Sequence, residues 1–140
     1  MDREIKFRIW ADNKFYNKCL VGNTNNTNDE KWTCPMIWLE KQKEWIHCDN
    51  GIICQYTGLD DKNEKEIYEG DIVLLDCYHY EEPAFDGEFE VIYDEENGMW
   101  LLVDLEDKEN IYTFENIRGY YKTEIEVIGN IYDNPELRGE

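Results

Sequence analysis

The stretch QYTGLDDKNEKEIYEGDIV, residues 55–73, decides how this chain is read. It runs from a strand-like start through two glycines and a charged turn to an apolar restart. Thr57 and Gly58 close one strand, Leu59 is a lone apolar anchor, and DDKNEKE is too polar to bury. IYEGDIV then resumes the alternation, with Gly70 free to adopt a φ that other residues avoid. The segment therefore reads as a corner joining two subdomains, residues 1–58 and 59–140. A catalytic reading would make Asp60, Asp61 or Asp71 an acid or base. No neighbour supplies a nucleophile, and carboxylates flanked by lysines are ordinary in a solvated turn.

Both sides of the corner show period-two patterning. EIKFRIW (4–10) alternates Ile5, Phe7 and Ile9 against Lys6, Arg8 and Trp10, as a half-buried strand does. ADNK turns, FYNKCLV (15–21) is a second strand, and GNTNNTNDE (22–30) is a polar, mobile loop. MIWL (36–39) and EWIHC (44–48) flank EKQK, which reads as a hairpin, with a short helix the alternative that four residues without Gly leave open. GIICQYT (51–57) is β-branched and aromatic enough for another strand. Beyond the corner, EIYEGDIVLLDCY (66–78), GEFEVIYD (87–94) and MWLLVDL (99–105) are strands. NIYTF (110–114) is a weaker one, ENIRGYY a helical turn or loop, and TEIEVIGNIY (123–132) a last strand with Ile125, Val127 and Ile131 on one face. No helix-length apolar pattern is present. The expected fold is mostly β, with a small N-terminal β-rich subdomain packed on a partly open barrel.

Charge divides the chain at the same place. Of the net charge of −19 over 140 residues, none arises before Gly58, where eight acids balance eight bases. The remainder carries 25 acids against six bases. Residues 79–96 contain eight acids and no Lys or Arg. Direct binding to a nucleic-acid backbone is disfavoured, since affinity there comes largely from cations that neutralise phosphates. No uncharged run much exceeds about ten residues, well short of a membrane span. The charged start MDREIKFRIW does not resemble a signal peptide. An odd count of five cysteines without CxxC spacing points to free thiols in a reducing cytoplasm.

Three blocks, REIKFRIW (3–10), QYTGLDDKNEKEIYEGDIV (55–73) and IEVIGNIYDNPEL (125–137), resemble in order and spacing the YopX family of phage and prophage proteins. The resemblance spans nearly the whole chain. It implies a bacterial phage or prophage origin and an SH3-like barrel in the second half, and it carries over no activity, cofactor or ligand residues. One departure is visible: the family's usual Asn-Gly is Asn63-Glu64 here, which argues against a tight type I′ turn.

His47, Cys48, Cys54, Cys77 and His79 could contribute to a zinc site, but they lack paired spacing, and alternation points His47 and Cys48 to opposite faces. Strand cysteines serve more often as small core residues, and no cofactor is expected. The five tryptophans and ten tyrosines mostly suit a β core. Trp10 and Trp45 are the candidates for surface contact with a peptide. Alternation on GEFEVIYD places Glu88, Glu90 and Ile92 opposite Phe89, Val91 and Tyr93. Glu88 and Glu90 therefore face water, and Asp94, Glu95 and Glu96, with Glu81, Glu82 and Asp86 in flanking loops, extend one acidic face. The leading expectation is a non-catalytic module that binds an unidentified host or phage protein, with self-association compatible. An acidic DNA-mimic decoy of a host nucleic-acid-binding protein is the alternative. An unrecognised enzyme or metal protein is the third reading.

Overall fold

The structure is a computed structural model that describes residues 4–25, 31–120 and 122–138, with side chains described outside 22–34. Strands account for 60% of it and helix for 7%, so the mostly β expectation holds. The chain divides into two compact units, Met1–Tyr56 and Thr57–Glu140.

The first unit is a pair of small antiparallel sheets. One contains β1 (Phe7–Ala11), β2 (Lys14–Tyr16) and the start of β6 (Ile52–Asp60); the other is β3 (Cys19–Asn25), β4 (Lys31–Leu39) and β5 (Glu44–His47). Ile9, Ala11 and Ile37 are buried between them, flanked by Tyr16, Cys19, Val21, Leu39, Ile46 and Ile53. The turn between β1 and β2 is the two-residue Asp12-Asn13, both with positive φ, as a type I′ hairpin requires. Three expectations need correcting here. Ile5 precedes β1 and is 63% exposed, so it takes no part in the core. FYNKCLV is not one strand, because the chain turns at Asn17-Lys18 to leave one sheet and enter the other. Residues 22–25 continue β3, pairing with β4 through Asn25↔Lys31. The expected mobile loop at 26–30 lies outside the described residues.

In the second unit, β7 (Glu66–Tyr68) pairs with β6, and a five-stranded antiparallel sheet curls into a half-barrel. Its order is β11-β10-β9-β8-β12, with β8 Asp71–His79, β9 Glu82–Asp94, β10 Met99–Asp104, β11 Ile111–Thr113 and β12 Lys122–Asn130. Ile67, Val73, Leu75, Cys77, Phe89, Val91, Leu102, Phe114 and Ile117 fill the concave side. ENIRGYY begins as a single helical turn, α1 (Phe114–Arg118). Thr113 caps it by accepting from the Asn116 N–H, while the Asn116 side chain accepts from the Thr113 N–H. The last strand stops at Asn130 after a bulge between Val127 and Gly129, so Ile131 belongs to the turn that follows rather than to the strand face.

The corner is structural, and a buried carboxylate holds it. Strand β6 continues through Gly58, at φ +88°, as far as Asp60 rather than ending at Thr57. Asp61 then accepts three backbone N–H groups on its carboxylate, from Asn63 at 2.8 Å, Lys65 at 2.9 Å and Val127 of β12 at 2.9 Å. The Lys62 N–H donates to the Ile125 carbonyl at 2.8 Å. The turn thereby covers part of the outer edge of β12, where unpaired groups would otherwise invite another strand. Further along, the Tyr68 N–H donates to Asp71. Gly70, at φ +87°, donates to Val91 and accepts from Ile131, and a Cβ there would sit 3.0 Å from the Tyr132 ring. Asn130 binds the N–H groups of Tyr132 and Asp133 on its side-chain oxygen. A Cβ on Gly129 would lie 2.6 Å from Asn134 Oδ1. The middle and last blocks of the sequence thus close on each other.

The charged turn is not type I′. Glu64 donates to the Asp61 carbonyl, Asp61 donates to the Lys65 carbonyl, and only Glu64 has positive φ, at 65°. That is a type I turn followed by a left-handed residue, the position glycine favours. Glu64→Gly is expected to stabilise the protein by about 0.5–1 kcal/mol, relief of the left-handed strain outweighing the freedom glycine adds to the unfolded chain. Urea denaturation tests this, and a loss of stability would contradict it.

Candidate functional site

The hairpin β4–β5 aligns Trp38 with Trp45 and Met36 with His47. Because side chains alternate, Ile37 and Ile46 on these strands face the core and the tryptophans face away. Leu20 of β3 pairs with Met36 and shares that outer face. The result is a three-stranded sheet with a second apolar face: Leu20 is 53% exposed, Trp45 is 36% exposed, and Met36 and Trp38 are half-buried.

Trp38 is held in place. Its ring meets Trp45 edge to face at 5.3 Å, and its indole N–H donates to Glu40 Oε2 at 2.6 Å. Glu40 is also paired with Lys43, and these two hydrogen bonds, Lys43 first, hold its carboxyl below the usual range. The Lys18 ammonium stands 4.1 Å over the Trp38 ring, and Lys14 stands 4.7 Å over Tyr16. A cleft of about 490 Å³ opens between β2 and the hairpin turn, lined by Lys14, Tyr16, Trp38 and Lys41 among others. Trp10 is half-buried on the Arg8 side of β1, edge to face with Phe15 at 4.8 Å, and Arg8 covers Phe15 at 3.8 Å. It lies outside that cleft.

The expected acidic face is broken up. Phe89 and Val91 are buried as alternation requires, but Glu90 is only 7% exposed and Tyr93 is exposed. The reason is the chain's return: a short 3-10 turn, Pro135–Arg138, brings Arg138 Nε to 2.9 Å from Glu90 Oε1. Asp94 is committed to the β9–β10 turn, accepting from the Glu96 N–H and the Asn97 side chain. Asn97 is the leading cause that holds its carboxyl low, joined by the backbone N–H groups. Glu82 and Asp86 sit in β9, not in loops. Glu81 and Glu82 lie at one end of that 13-residue strand and Glu95 and Glu96 at the other, about 40 Å apart along the chain. What remains is a groove of about 400 Å³ in which Asp86, Glu88, Glu106 and Glu136, with Arg138 as the one cation among its described lining residues, surround Leu74, Leu105 and Leu137.

The exposed acids still repel. Stability measured by urea denaturation is expected to rise by about 1 kcal/mol between 10 mM and 0.15 M salt, as the screening length contracts to about 8 Å. A fall over that range would show that ion pairs outweigh the repulsion.

Among the described residues no group of three His, Cys, Asp or Glu side chains is placed to hold a metal ion. Cys19, Cys48, Cys54 and Cys77 are free thiols, and burial pushes those of Cys19, Cys48 and Cys77 up, away from the reactive thiolate. No described helix is long and apolar enough to cross a membrane.

The family of YopX protein matches residues 6–138. The chain belongs to the YopX family. Two crystal structures share the fold over nearly their whole length. Protein EF1440 from Enterococcus faecalis aligns at 23% identity and a TM-score of 0.59, covering 98% of this chain and 99% of that one. Protein yopX from Bacillus subtilis aligns at 18% identity and a TM-score of 0.56, covering 94% and 96%. No curated protein matches significantly. The residues on which the family resemblance rests, Asp61, Gly70, Asp71, Gly129 and Asn130 among them, are those that fix turns and strand ends. Membership in the YopX family therefore reports architecture, and the tryptophan face lies outside the three blocks.

Trp38 and Leu20 were not singled out from the sequence. The signal was the symmetry of the hairpin: a four-residue turn at 40–43 sets Trp38 opposite Trp45.

Proposed function

We propose that this YopX-family protein is a non-catalytic interaction module, encoded by a phage or prophage and acting in the bacterial cytoplasm on a host or phage protein. The observation that carries this reading is the outer face of β3–β4–β5, where Leu20, Met36, Trp38 and Trp45 are presented on a sheet whose opposite side already forms the core. Soluble proteins rarely leave contiguous aromatic and aliphatic surface uncovered unless something binds it. Trp38 is fixed by Trp45, Glu40 and Lys18, which lowers the entropy lost on docking. The raised thiols and the turn-forming role of Asp61 and Asp71 favour a non-catalytic reading.

The test is affinity capture from phage-carrying bacterial cells with wild-type protein and Trp45→Ala, at 0.15 M and 1 M salt. A defined partner retained at high salt and lost with Trp45→Ala supports the reading. The acidic groove at Asp86, Glu88, Glu106 and Glu136 favours a second reading, a decoy for a basic host protein. Its mark is a basic partner released at 1 M salt and indifferent to Trp45.

A further inference from the structure

We propose that the occupant of the tryptophan face is an extended, acidic segment of another protein, laid across Trp38 and Trp45 with its carboxylates on Lys14, Lys18 and Lys41. This rests on reading the face as a docking surface. The charge of the face chooses the partner. Glu40 is the acid of the cleft, and Lys43 and the Trp38 indole occupy it. Lys14 and Lys18 are held over aromatic rings, Lys18 near enough to Glu40 to help lower its carboxyl, and among the described residues neither they nor Lys41 form a close ion pair. A cation above a ring keeps its other N–H directions open to an acceptor. Lys18 thus stands over Trp38, and Lys14 and Lys41 line the cleft that Trp38 shares.

The geometry also favours an extended ligand. The floor is the pleated outer face of β4–β5, where Trp38 and Trp45 lie directly opposite each other on adjacent strands, so neighbouring same-side side chains of an extended peptide crossing the pair can reach both rings. A second copy of this chain is the less favoured occupant. Docked by the same face it would set Lys14 and Lys18 against their own copies, whereas an acidic segment brings the opposite charge to the lysines.

The test uses the full chain with indole ¹⁵N labels, signals assigned from Trp38→Phe and Trp45→Phe, and two synthetic peptides. One alternates glutamate with tyrosine and proline; the other has lysine at each glutamate position. The acidic peptide is expected to move the Trp38 and Trp45 signals. Its affinity should fall at least about tenfold in the Lys14→Glu/Lys18→Glu variant, which should gain affinity for the lysine peptide. Equal binding of both peptides overturns the proposal, as does a lack of movement at Trp38 and Trp45. A concentration-dependent shift of those signals without peptide, with a matching rise in sedimented mass, assigns the face to a second copy and also overturns it. Capture of a Trp45-dependent partner without an acidic segment removes this inference and leaves the docking face standing. Failure to capture any Trp45-dependent partner removes both.

Discussion

Asp61→Ala is expected to lower stability by about 3 kcal/mol, a large share of the 5–15 kcal/mol that holds a domain of this size. The carboxylate is buried and accepts from Asn63, Lys65 and Val127, so alanine leaves three donors without their acceptor. The Asn63 and Lys65 groups lie in an exposed turn that water can reach; the Val127 group lies in a half-buried strand and bears most of the loss. Burial pushes this carboxyl up, but the three N–H groups outweigh it and the net shift is downward. A folded-state value below the unfolded one gives stability that is full above the ordinary carboxyl range, near pH 4, and is lost as pH falls through the folded value. The difference between wild type and Asp61→Asn should therefore be constant from pH 7 to about pH 5 and shrink below pH 4. Comparing the two proteins cancels the change in overall repulsion that acidification brings. A difference that grows on acidification would contradict the assignment.

Phe89→Ala is expected to cost about 4 kcal/mol, within the range for removing a fully buried phenyl ring. Phe89 is 1% exposed at the centre of the half-barrel, edge to face with Phe85 at 6.3 Å and with Tyr112 at 5.7 Å. Phe85 stacks in turn on Tyr112 at 4.7 Å and meets Tyr120 at 5.2 Å. These rings come from β9, β11 and the segment after α1, so the vacancy would loosen the curl of the sheet as well as its core. Phe89→Leu should recover most of the loss. A cost under about 1 kcal/mol for Phe89→Ala would mean the ring is not packed where it is described.

Local pattern was legible where one side of a strand meets one environment. Phe89 and Val91 followed from alternation, and the β4–β5 hairpin from two apolar runs about a charged turn. The pattern failed where distant segments decide. Residues 82–87 contain Pro83, Ala84 and Gly87, poor strand formers, yet pairing with β8 makes them strand. Glu90 points away from the barrel as expected, but Arg138 folds back onto it from the far end of the chain. Tyr93 occupies an inward position near the end of β9 and is exposed at the sheet's rim. Ile5 alternates correctly but lies before the first residue that pairs. The candidate site was half legible: Trp45 was named from its surroundings, whereas Leu20 required knowing that β3 pairs with β4.

The β3–β4–β5 sheet has two apolar faces, one packed and one open. Paramagnetic relaxation by a soluble, uncharged gadolinium chelate, recorded on dilute isolated protein, measures this most directly. Fast relaxation is expected at the Leu20 methyls and the Trp45 ring and slow relaxation at Ile37, which belongs to the same sheet and faces the other way. Equal protection of Leu20, Trp45 and Ile37 would mean the face is already covered in the free protein, and the docking surface would not exist.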